Sequence, residues 1–165
     1  MQKISSFVVK GCLLLGFTLS ATIACGQTTV CSFSSVTGVA FGVYDDGSSV
    51  PRDTATNMTI NCTRNGGPPG VNVTLALGPS ATSGSSSTRS MRQGNGSIIN
   101  YNLFRDSSRG LVWGQTPGVD TMTNSISIPN KSTVSTSFTI FGRISALQNA
   151  SVGTYGDSVM ATISY

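Results

Sequence analysis

The run Val159-Met160-Ala161-Thr162-Ile163-Ser164-Tyr165 has the alternation of a β-strand. Successive strand side chains point to opposite faces, so Val159, Ala161, Ile163 and Tyr165 share one face and Met160, Thr162 and Ser164 the other. A chain that stops inside a strand leaves a sheet position beside it unfilled, and this pattern makes assembly with another chain the first functional expectation.

The same period of two recurs upstream and never gives way to 3.6. Met58, Ile60 and Cys62 alternate with Asn57, Thr59 and Asn61, and Val71, Val73, Leu75 and Leu77 alternate with Asn72, Thr74 and Ala76. Both segments read as half-buried strands. Further strands are expected over 31–36, 38–44, 97–104, 111–113, 121–128 and 134–144. Turn-forming residues separate them: Asp45-Asp46-Gly47, Asn65-Gly66-Gly67-Pro68-Pro69-Gly70 and Pro117-Gly118. Short strands at this spacing, with half-buried faces, predict an all-β sandwich of about seven strands. Residues 78–96, rich in Gly, Ser and Thr, read as a long loop. Charged residues make up only 10% of the chain, as in secreted β-proteins.

The opposite end sets the compartment. Lys3 and Lys10 frame a basic start, residues 11–24 form an apolar run, and small residues follow, which is the pattern of a secretory signal. The run is too short and too early for a membrane span. A cut after Gly26 makes residues 1–26 the signal and 27–165 the mature domain. A cut after Ala24 fits nearly as well, and a lipidated Cys25 is a third reading. Without Lys3 and Lys10, Lys131 is the sole lysine and the arginines are scattered, so no basic stripe forms for nucleic acid.

Export bears on the cysteines. Cys12 and Cys25 lie in or beside the signal, which leaves Cys31 and Cys62 in the body. In an oxidising compartment two cysteines are most simply one disulfide. Cys31 shares a strand face with Phe33, and Cys62 shares one with Met58 and Ile60, so both sulfurs point to a core; two buried free thiols are the alternative.

Catalysis lacks its usual residues. The chain contains no His and no Glu, which removes the commonest general base and one of the two carboxylate types. Asp45 and Asp46 sit together on a turn and Asp53 stands alone, so no carboxylate pair is set for acid–base work. The serines have no histidine to activate them. Neither a zinc ligand set nor a phosphate-binding glycine loop is present. The chain is read as non-enzymatic, with no cofactor and no metal.

An ordered set of short motifs runs through the body: Cys31-x-Phe33, Val39-Ala40-Phe41-Gly42-Val43-Tyr44, Cys62, Arg89-x-Met91, Tyr101-Asn102-Leu103-Phe104-Arg105-Asp106, Trp113-Gly114, Phe141-Gly142-Arg143-Ile144 and Gly153-x-Tyr155-x-Asp157-Ser158-Val159. In this order they resemble the spore coat protein U domain, a family that includes subunits of archaic chaperone-usher pili. The resemblance implies an incomplete immunoglobulin-like sandwich that lacks its last strand. It also implies partners: a periplasmic pilus chaperone that lends a strand, an outer-membrane usher, and neighbouring pilin subunits. Carried onto this chain, it makes Val159, Ala161, Ile163 and Tyr165 the lining of the assembly groove. Export through the periplasm to the cell surface, with roles in adhesion and biofilm formation, follows from the same likeness. Two other readings are a coat or matrix protein that is not a pilin, and a standalone module binding carbohydrate or a surface.

The chain departs from polymerising pilins ahead of Cys31. Filling a groove takes roughly ten residues, or about 33 Å of extended chain. A cut after Gly26 leaves only Gln27, Thr28, Thr29 and Val30 there. The expectation is a subunit that accepts a strand without giving one, as a terminal, tip-like subunit or a non-polymerising relative would.

Overall fold

A computed structural model describes residues 29–94 and 96–165. The segment read as a signal, residues 1–26, and the alternatives at Ala24 and Cys25 lie outside the described residues. Eight strands follow in order: β1 (Thr29–Val36), β2 (Arg52–Arg64), β3 (Gly70–Ser80), β4 (Arg89–Arg92), β5 (Ile98–Phe104), β6 (Met122–Ser127), β7 (Ser132–Ile144) and β8 (Val159–Ser164). They form a five-stranded sheet in the order β1-β2-β7-β5-β4 and a three-stranded sheet in the order β6-β3-β8. Every strand pairing is antiparallel. This is an immunoglobulin-like β-sandwich with unequal layers. Among the described residues no helix is long and apolar enough to cross a membrane.

Alternation explains which residues meet between the layers. Met58, Ile60 and Cys62 of β2 are buried, as are Phe138, Ile140 and Ile144 of β7 and Val73, Leu75 and Leu77 of β3. Trp113 joins them: it is fully buried, and its indole N–H donates to the Leu75 carbonyl at 3.0 Å. Each large apolar side chain removed from water contributes about 1.5–3 kcal/mol. The opposite faces carry Ser, Thr and Asn, which hydrogen-bond across strands, as in Thr63–Thr133 at 2.7 Å and Asn61–Ser135 at 2.7 Å. Cys31 and Cys62 are register partners on β1 and β2 and form a disulfide.

Three sequence expectations change. Residues 38–44 join no ladder. Residues 111–113 shrink to an isolated bridge between Phe104 and Val112. The long loop expected over 78–96 is mostly structured: β3 continues to Ser80, β4 occupies Arg89–Arg92, and the residues between are pinned by side chains. The Ser80 hydroxyl accepts from the Thr82 and Ser83 amides at 3.1 and 3.0 Å and donates to the Ser90 carbonyl at 3.0 Å. Sequence reasoning places Arg89 in a family motif but not in the core, because a buried charge breaks the apolar pattern. Its guanidinium is fully enclosed, and Nη2 donates to the carbonyls of Leu77, Gly78 and Trp113 at 2.8–3.0 Å, while Nε is buried without a partner among the described residues.

Candidate functional site

The smaller sheet does not cover the larger one, and the uncovered part is an open cleft. One wall begins where β1 ends, at the pairing of Val36 with Met58. Beyond it, residues 37–44 cross onto the inner face of the large sheet. Thr54 and Thr56 lie on the same side of β2 as Met58, Ile60 and Cys62. Their hydroxyls donate to the carbonyls of Ala40 at 3.0 Å and Thr37 at 3.5 Å. The Arg52 Nε donates to the Phe41 carbonyl at 2.7 Å. The crossing segment therefore lies in the layer of the three-stranded sheet, held by side chains rather than by a backbone ladder.

Its close approach needs a glycine beneath it. A Cβ at Gly142 of β7 would stand 2.8 Å from the Phe41 Cζ and 3.0 Å from the Val39 Cγ1. Gly142 is a strand residue whose missing side chain makes room for an aromatic ring. Phe41 also meets Tyr101 edge-on, with ring centroids 5.6 Å apart. Gly42 has φ at +73°, a left-handed conformation that favours glycine.

The opposite wall is β8. It pairs with β3 through Leu77–Ala161 and Leu75–Ile163. Its other edge has no strand partner among the described residues. Between the walls the cleft has a volume of about 1130 Å³ and a floor that includes Met58, Tyr101, Leu103, Ile140 and Ile144 of the larger sheet, with Leu77 of β3 beside the β8 wall. Residues 150–158 close one end. They are fastened by paired backbone hydrogen bonds between Arg92 and Gly156, at 2.9 and 3.1 Å, and by Gln93 Nε2 donating to the Val152 carbonyl at 2.9 Å.

One polar pair sits at this end. The Tyr101 hydroxyl donates to Asp157 Oδ2 at 2.7 Å, and the Thr82 amide donates to Asp157 Oδ1 at 3.1 Å. Burial first, and then the hydrogen bond to Asp157, push the Tyr101 phenol well above its ordinary range. Burial works against the Asp157 charge, but the hydrogen bond from the Tyr101 hydroxyl and those from the amides of Thr82 and Ser158 more than offset it and hold the carboxyl below its usual value. Asp157 thus organises backbone and phenol together. Asp106 does similar work in its own turn, accepting from the Gly110 and Leu111 amides at 3.0 and 2.7 Å. Among the described residues no group of three His, Cys, Asp or Glu is placed to hold a metal ion.

The four residues assigned to the groove do not sit alike. Val159 and Ala161 line the cleft. Ile163 is half-buried and packs against the core beside Leu75, outside the cleft lining. Tyr165 follows β8 and is 53% exposed. Sequence reasoning did not assign Phe33, Val39, Phe41, Tyr101 or Leu103 to the groove, although all five line the cleft. The signal for the first wall was the Val39-x-Phe41 alternation beside Gly42; for the floor there was none, since a floor residue and a core residue share one pattern.

Comparison with curated proteins finds no match. Among solved structures, one similar chain belongs to a chaperone–tip adhesin complex of CFA/I fimbriae biogenesis, at 10% identity and a TM-score of 0.41. That likeness takes in 82% of this chain and 41% of the other, so this chain spans less than half the length of the protein it resembles. The Spore Coat Protein U domain matches residues 17–162, a span that starts inside the segment read as a signal and holds both body cysteines and both cleft walls. The chain belongs to the spore coat protein U domain family.

Proposed function

We propose that this chain is an exported, non-enzymatic assembly protein, a subunit of an archaic chaperone-usher pilus that serves surface adhesion and biofilm formation, and that its cleft accepts a β-strand from another chain. The observation that carries this reading is the unfinished second layer, with residues 37–44 on one side, β8 on the other and an apolar floor between. A strand laid there gains backbone hydrogen bonds at its edges and buries alternate side chains against the floor. Val159 and Ala161 supply the near wall, and Ile163 and Tyr165 continue the same strand face. Within this reading a periplasmic chaperone supplies the first strand, and a neighbouring pilin subunit replaces it at the outer-membrane usher. Residues 1–26 are the signal removed on export, and 27–165 the assembling domain.

Co-expression with the periplasmic chaperone of the same gene cluster tests the reading. A soluble complex is expected. Ala161→Asp, which puts a charge against the apolar floor, should abolish it, whereas Thr162→Asp on the opposite face of β8 should leave it intact. A wild-type chain that purifies alone as a stable, cooperatively unfolding monomer would overturn the proposal. N-terminal sequencing of the exported protein should begin at Gln27; a start near Cys12 would overturn the boundary.

A further inference from the structure

Thr54 of β2 and Gly142 of β7 are register partners, and they are gripped from both faces of the large sheet. On the inner face Thr54 Oγ1 holds the Ala40 carbonyl, and Gly142 leaves room for the Phe41 ring. On the outer face the same two residues meet Arg109, a side chain outside the cleft lining. Its Nε donates to the Gly142 carbonyl at 3.2 Å and its Nη2 to the Thr54 carbonyl at 3.4 Å. The guanidinium also lies over the Phe141 ring, 5.9 Å from its centroid, and forms an ion pair with Asp53 at 3.2 Å. Arg143 completes the cluster, donating to the two Asp53 oxygens at 2.7 and 2.8 Å.

Two observations set Arg109 apart from an ordinary surface arginine. Its backbone has φ at +60°, a left-handed conformation uncommon for a side chain of this size. The turn holds it there: the Arg109 amide donates to the Asp106 carbonyl at 3.1 Å, and the Asp106 carboxylate accepts from the Gly110 and Leu111 amides. The second observation is its place. β1 pairs with β2 only as far as Met58, so among the described residues 52–57 of β2 have a strand partner on one side alone. Two strands that end this way are free to fray, and a planar fork laid across both of them resists it.

We propose that Arg109 is a positioning residue for the strand site. Braced by Asp53 and Arg143, it fixes the Thr54–Gly142 pair from outside and so holds residues 37–44, the first wall of the cleft, where an incoming strand meets them. The proposal rests on the reading of the cleft as a strand acceptor. Only the thickness of one sheet separates the fork from the wall, so a shift that loosens the Thr54–Gly142 pair passes directly to the Ala40 tether and to the seat of Phe41. The coupling runs both ways: a strand that orders residues 37–44 tightens the same pair, and with it the seat of Arg109.

The test sets Arg109→Gln against Arg64→Gln, each in complex with the periplasmic chaperone of the same gene cluster. Arg64 is the matching control. At the other end of β2 its guanidinium likewise donates to backbone carbonyls, those of Gly66, Gly67 and Ile128, away from residues 37–44. Arg109→Gln should speed release from the chaperone about tenfold and quicken hydrogen exchange at residues 37–44. Arg64→Gln should leave both unchanged, even where it lowers the melting temperature as much. Asp53→Asn keeps the two carbonyl contacts of Arg109 and removes its brace, so it should act in the same direction by a smaller factor; it decides the question if Arg109→Gln does not fold. Equal release from the two arginine variants, or wild-type release from Arg109→Gln, would overturn the positioning role and leave the acceptor reading standing. A wild-type chain that forms no complex would overturn the acceptor reading and the positioning role with it.

Discussion

One half of the sandwich is finished and the other is not. In the finished half β3 is paired along both edges, by β6 and β8, above a floor where Trp113, Phe138 and Ile60 have no exposure at all. In the unfinished half residues 37–44 occupy the same layer as β3, but three of their carbonyls are held only by the side chains of Thr54, Thr56 and Arg52. A ladder shares its ordering cost over many hydrogen bonds, whereas single tethers each bear their own. The contrast teaches that a core closed at one end lets the other end stay open without collapse.

The sharpest way to break that contrast is to hollow out each half in turn. Trp113 packs on Phe138 with ring centroids 6.2 Å apart and donates to the Leu75 carbonyl. Trp113→Ala should cost about 3–5 kcal/mol in urea denaturation. Phe41→Ala should cost less than half as much, because space freed beside the cleft is continuous with solvent and makes no enclosed cavity. Equal losses would show that the open half is packed as tightly as the closed one.

The disulfide comes next. It joins the edge strand β1 to β2 across a separation of 31 residues. Replacing both Cys31 and Cys62 with Ala should cost about 3–4 kcal/mol, chiefly through the freedom returned to the unfolded chain. In the wild-type protein neither sulfur should react with an alkylating reagent without reductant, as read by mass spectrometry. Labelling of both would remove the staple from the comparison.

Sequence reasoning reached the finished half more readily than the unfinished one, for a physical reason. Period-two alternation reports burial on one face, so β2, β3 and β7 were legible, as was the pairing of Cys31 with Cys62. The same signal misread residues 38–44 as a strand, because Val39 is half-buried and Phe41 buried in alternation there without a backbone partner. It also missed β4, where the buried Arg89 donates hydrogen bonds to backbone carbonyls in place of apolar contact. In β8 the alternation placed Val159, Ala161 and Ile163 on one face. How far the cleft extends along that face depends on where residues 37–44 cross, and that is a tertiary fact.

A smaller effect should come from the contact that seats the crossing segment. Gly142→Ala puts a methyl group 2.8 Å from the Phe41 ring, which also packs edge-on against Tyr101. The strain should cost about 1–3 kcal/mol. It should also be local: hydrogen exchange at residues 37–44 should quicken while the amides of β3 keep their protection. Faster exchange in both would mean that the two halves open as one unit, contrary to the division drawn above.

The smallest effect should be a pH dependence confined to the Tyr101–Asp157 pair at the closed end of the cleft. Hydrogen bonds hold the Asp157 carboxyl below its ordinary value despite burial, so its contribution is present above the unfolded value of about 3.9 and is lost as pH falls through the lower folded value. Tyr101 acts at the other extreme. Burial and the hydrogen bond to Asp157 raise its phenol, so its contribution is present below the unfolded value of about 10 and is lost as pH rises toward the higher folded one. Tyr101→Phe should therefore flatten both arms of a stability–pH curve, and Asp157→Asn should flatten the acid arm most. Neither substitution should alter the pH response of Trp113→Ala, whose defect lies in the half without a titrating pair. If the acid arm keeps its slope in Asp157→Asn, another carboxylate carries it, and Asp106 is the first to examine: hydrogen bonds from Ser108 and the Gly110 and Leu111 amides pull its carboxyl down to about 2.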